Sequence, residues 1–105
     1  MGNPMRGEAE LVVDGTQRTL RLTLGALAEL EEALGEEGLI PLIRRFEEGR
    51  VSGRDVIRLI VAGLRGGGWE IRAQDLLAAE IEGGPAEAAR VAGLALVRAF
   101  APGAR

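Results

Sequence analysis

Carboxylates and guanidinium groups carry nearly all the chemistry open to this chain, because it contains no histidine, cysteine, tyrosine or lysine. Glu29, Glu31, Glu32, Glu36 and Glu37 crowd one short stretch. Such a cluster is raw material for a hard-cation site or an acid/base pair. Glu29, Glu32 and Glu36, however, recur three and four apart, which puts them on one helix face that reads as solvated. No nucleophile is brought toward them. Arg44, Arg45, Arg50, Arg54 and Arg58 have the charge to meet phosphate. The net charge of −3 and the lack of aromatic interleaving argue against a nucleic-acid partner. Gly66-Gly67-Gly68 has the look of a phosphate-binding loop, yet such a loop needs a lysine. Without cysteine there is neither a disulfide nor a thiolate metal site, and without histidine the commonest general base is missing. The residues point to no catalytic centre, no metal and no cofactor.

The elements that would position these groups follow from periodicity. At 105 residues the chain has the length of one domain, and with 47% hydrophobic residues it has the material for a core. Residues 1–7 read as a flexible arm and 101–105 as a frayed tail, leaving a single domain over 8–100. Residues 8–24 read as a hairpin: Glu8 to Val13 as one strand, Asp14-Gly15 as a tight turn, and Arg18 to Leu24 as the return strand. Leu20, Leu22 and Leu24 alternate with polar residues and predict one buried face.

From Leu24 the period changes. Leu24, Leu27, Ala28, Leu30 and Leu34 predict a helical stripe over 24–34, capped by Thr23 and stopped by Gly35. Further helices are predicted over 39–48, with Pro41 in its first turn, and over 53–65, where Ser52 and Asp55 have capping-box spacing. Glu47 and Glu48 oppose the dipole at the end of the 39–48 helix, so that end is expected to fray. Gly66-Gly67-Gly68 reads as a turn or hinge, followed by helices over 73–81 and 85–100. The expected fold is α+β but mostly α, an N-terminal hairpin followed by four to five short helices packed as a small bundle.

Two features leave alternatives open. Trp69 suits either a lid on the core or a partner hot spot. From Ala86 to Phe100 only Glu87, Arg90 and Arg98 interrupt an apolar run, which suits either a centrally packed helix or one docked on a partner. Trp69, Val91, Leu94, Leu96 and Phe100 are the candidate partner-binding residues. No apolar run approaches the length of a membrane span and no signal-peptide core is read at the N-terminus, so the cytoplasm is the expected location.

The order of these segments resembles a family of phage-derived tail proteins found in the tail gene clusters of bacterial gene transfer agents and related prophages. The resemblance is carried by Val13-Asp14-Gly15, by Leu22 to Glu31, by Arg45-Phe46-Glu47-Glu48-Gly49, and by Arg54-Asp55-Val56-Ile57 running through to Gly66-Gly67-Gly68. It covers Gly7 to Gly68 well and the C-terminal helix loosely. It implies a non-enzymatic role in tail morphogenesis without a cofactor, in a bacterial host and open to incorporation in the particle. The resemblance further implies a tail assembly chaperone that binds the tape-measure protein, with self-association left open. The first alternative is a tail tube or connector component, although tubes usually use a substantial β-sandwich and one hairpin is expected here. The second is a small DNA-binding regulator, disfavoured by the acidic charge and the missing lysines.

Overall fold

A computed structural model describes residues 8–100. Two antiparallel strands, β1 (Glu8–Val13) and β2 (Thr16–Arg21), are followed by α1 (Leu24–Leu34) and a short 3-10 turn, Gly35–Glu37. The chain continues through α2 (Leu39–Glu47), α3 (Gly53–Gly66), α4 (Ala73–Leu77) and α5 (Gly84–Phe100). The α+β, mostly α architecture is therefore as the periodicity predicts, with five helices behind one hairpin.

The hairpin turns on Asp14 and Gly15, both at positive φ (51° and 79°), as a two-residue turn compatible with strand twist requires. Its register pairs Ala9 with Leu20, Leu11 with Arg18 and Val13 with Thr16, so these six side chains share the inner face. The return strand is shorter and earlier than Arg18 to Leu24. It ends at Arg21, and Thr23 has already left the sheet to cap α1, its Oγ1 accepting a hydrogen bond from the Ala26 amide at 3.0 Å. Leu24 thereby becomes the first helical residue and points to solvent, 86% exposed, while Leu22 stays buried. The stripe that α1 buries is Ala26, Leu30 and Leu34, not one that includes Leu24 and Ala28.

Helix α3 is the hub: it packs on β2, α1, α4 and α5. Helix α5 covers β1. Between them lie Val13, Leu20, Leu30, Leu59, Ile60, Leu64 and Val91, each fully buried. Burying one such side chain is worth roughly 1.5–3 kcal/mol, so this leucine-rich centre suffices where aromatic residues are scarce.

The glycine run is not a hinge. Gly66 is still helical and Gly67 is the C-cap. A Cβ on Gly66 would stand 2.0 Å from the Arg21 carbonyl oxygen, and one on Gly67 would stand 2.1 Å from that of Thr19. The end of α3 thus lies directly against the β2 backbone, an approach that only glycine permits. Gly68, at φ 104°, then turns the chain.

Helix α4 stops at Leu77, well short of 81. The residues expected to continue it are drawn to β1 instead. The Glu80 amide donates to Asp14 Oδ1 at 2.9 Å, the Asp14 amide donates to the Glu80 carbonyl at 2.8 Å, and the Glu82 amide donates to the Val12 carbonyl at 3.1 Å. Val13 and Ile81 form an isolated antiparallel bridge. Farther along β1, Arg98 Nη1 donates to the Glu8 carbonyl at 2.9 Å. Both margins of the two-stranded sheet are partly covered, the outer side of β1 by this segment and Arg98, and the Thr19 and Arg21 carbonyls of β2 by the end of α3.

Candidate partner-binding surfaces

Helices α2 and α5 leave a groove of about 330 Å³ between them, lined by Ile43, Phe46, Glu47, Gly93, Leu96, Val97 and Phe100. Gly93 makes the approach close: a Cβ there would meet the Phe46 ring at 3.3 Å. Along α5, Ala88, Val91, Ala92, Ala95 and Leu96 face the core. Val97 and Phe100, at 64% and 46% exposure, lie along the outer lip of the groove. Helix α5 is therefore packed centrally along one side and presents bare apolar surface along the other.

The five residues singled out in the sequence do not form one patch. Phe100 stands at the lip and Leu96, 3% exposed, forms the floor of the groove. Val91 is 1% exposed and belongs to the core, while Leu94 is partly buried against it. Trp69 lines neither this groove nor the trough described below. It packs half-buried on the core, and the Arg18 guanidinium carbon sits 3.9 Å from its ring centroid. Arg18 points inward because it shares a face with Leu20, and its Nε is buried without a hydrogen-bond partner among the described residues. The indole face supplies the cation with a favourable contact there.

Helix α2 is fastened by charge. Asp55, 4% exposed at the start of α3, accepts from Arg45 Nε at 2.8 Å and Nη2 at 2.9 Å, and from the Ser52 amide at 3.0 Å. Ser52 Oγ in turn accepts from the Asp55 amide at 3.1 Å, completing the capping box. Arg45 also pairs with Glu37. Its two-pronged contact holds the Asp55 carboxyl below the usual carboxylate range, against the opposing effect of burial, and the carboxylate raises the Arg45 guanidinium. At the α2 terminus the Glu48 amide still donates to the Arg44 carbonyl at 2.9 Å, and Arg44 and Arg45 offset the glutamates there. The sequence showed Asp55 as a cap; its partner ten residues upstream was not legible in it.

A second hollow of about 370 Å³ lies between α1, α3 and the Ile71–Ala73 segment, with Leu30, Ala33, Val61, Ala62 and Ile71 among its lining. It shares Arg58 and Ala73 with a neighbouring hollow lined by Arg54, Ile57 and Leu77, so the two lie end to end along α3 as a trough with Arg58 where they meet. Arg65 and Arg72 stand on its rim. Arg65 donates to Glu29 at 3.0 Å, which raises its guanidinium pKa. Glu29 is thus committed to an ion pair, while Glu32 and Glu36 are exposed. Among the described residues no group of three or more His, Cys, Asp or Glu side chains is placed to hold a metal, and no helix is long and apolar enough to cross a membrane.

Residues 6–102 match the family model described as phage tail tube protein, GTA-gp10, and the chain belongs to that family. The comparisons with curated proteins and with solved structures give no significant match.

Proposed function

We propose that this tail protein is non-enzymatic and acts as an assembly chaperone, holding a helical segment of the tape-measure protein in the groove between α2 and α5. The observation that carries this reading is the groove itself. Val97 and Phe100 leave large apolar area bare beside Phe46 and Ile43, on a helix whose other side is fully packed. Grooves of this kind receive the apolar stripe of an amphipathic helix. The partly covered margins of the hairpin add support, because they hinder copies of the chain from extending a sheet edge to edge. The family description favours a second reading, a tube or connector component that persists in the finished particle.

Co-expression with the tape-measure protein from the same gene cluster, tagging only the small chain, tests the proposal. A stoichiometric soluble complex that is lost in Val97→Asp/Phe100→Asp supports it. Both side chains are exposed, so that variant keeps its fold by circular dichroism. If the large protein stays insoluble and the small chain elutes as rings, the tube or connector reading replaces it.

A further inference from the structure

We infer that the trough along α3 is a second docking surface, distinct from the α2/α5 groove, and that it receives an amphipathic protein helix with an acidic flank. Both ends have apolar lining: Val61 lies over the buried Leu30 and Ile71 at one end, Ile57 and Leu77 lie at the other, and Arg58 stands between them. Leu77 is 68% exposed on a helix of only five residues, with no packing role that requires a leucine to face solvent. Helix α3 has fourteen residues, which at 1.5 Å each gives a track of about 20 Å. That is enough to seat several turns of a partner helix.

The charges decide which helix fits. Acids outnumber arginines, 16 to 13, yet among the described residues neither Arg54 nor Arg58 has a carboxylate within salt-bridge distance. Arg58 is half-buried and stands where the two hollows join. Arg72 holds Asp75 only loosely, at 3.6 Å, with both side chains largely exposed. Glu29, the one carboxylate lining the trough, is already taken by Arg65. The trough therefore offers an apolar floor with uncompensated positive charge beside it. A carboxylate-flanked leucine stripe complements both features, while a phosphate backbone would leave the floor uncovered. This inference is independent of the tape-measure reading.

The test uses the full chain and two synthetic peptides that match α3 in length. Both carry one leucine stripe, flanked by glutamates in one and by lysines in the other. Fluorescence anisotropy is expected to show binding of the glutamate peptide, weakening as salt is raised, and none of the lysine peptide. Arg54→Gln/Arg58→Gln is expected to weaken it about tenfold, the combined effect of two modest charge pairs. Leu77→Ser weakens it as well, and Val97→Asp/Phe100→Asp leaves it unchanged. Equal binding of both peptides overturns the inference. So does unchanged affinity in a folded Arg54→Gln/Arg58→Gln variant, or displacement of the peptide by a DNA duplex.

Discussion

At its start, α3 carries a buried carboxylate that accepts three hydrogen bonds and reaches across to another helix. At its end the polar contact is a surface pair, Arg65 with Glu29, and the close packing is steric: Gly66 and Gly67 lie against the carbonyls of Arg21 and Thr19. The same helix is thus fastened by a buried polar anchor at one terminus and chiefly by steric fit at the other. The two kinds of anchor respond differently to insult. A polar anchor is weakened by losing one partner and depends on pH. A steric one is indifferent to pH and intolerant of a single methyl group.

The largest effect is expected at the steric end. Gly66→Ala gains up to about 1 kcal/mol of helix propensity, but its methyl group must displace strand backbone. Overpacking of that kind costs about 3 kcal/mol or more, so urea unfolding should show a large net loss. Gly63→Ala sharpens the point. Its Cβ would meet the Cβ and Cγ of the fully buried Leu20 at 3.0 Å, not a strand carbonyl oxygen, so the expected loss is smaller, about 1–2 kcal/mol.

Next comes Asp55→Asn, which removes a charge from a buried, multiply bonded site and is expected to cost about 2–3 kcal/mol at neutral pH. Because the folded carboxyl is held below its unfolded value of about 3.9, its contribution is fully present above that value. The contribution is lost as pH falls through the folded pKa. The stability gap between the parent chain and Asp55→Asn should therefore be constant near neutrality and close in acid, while the loss in Gly66→Ala stays at all pH values. Urea titrations across the acid range measure both. The smallest effect is at the cap: Ser52→Ala should cost about 1 kcal/mol, a drop of roughly 4–8 °C in melting temperature.

The contrast between the two ends also explains what was legible in the sequence. Local signals were enough for the Asp14-Gly15 turn, for the Thr23 and Ser52 caps, and for the long helices, because periodicity and capping act within a few residues. Contacts across the chain were not. The early stop of α4 is imposed by Asp14 and Val12, more than sixty residues away, and nothing between Arg72 and Ile81 announces it. The glycine run was visible as a break, but its closeness to β2 depends on a strand packed beneath it. Along α5, a run of alanines and leucines showed that the helix was apolar. It did not show which side met the core, so Val91 and Phe100 looked alike. The trough was hidden for a similar reason: Arg58 reads as one of several arginines until the other side chains find their partners.

The partly covered margins of the hairpin bear on the protein before it ever meets a partner. A component made in quantity ahead of assembly must stay dispersed among identical copies, and an open strand edge is the commonest place for such copies to stick. Here part of that edge is engaged within each chain: the Val12 carbonyl accepts from Glu82, the Glu8 carbonyl accepts from Arg98, and the Thr19 and Arg21 carbonyls lie under the last turn of α3. Stacking of copies strand to strand is thereby hindered, which leaves side-chain surfaces as the more open route to contact.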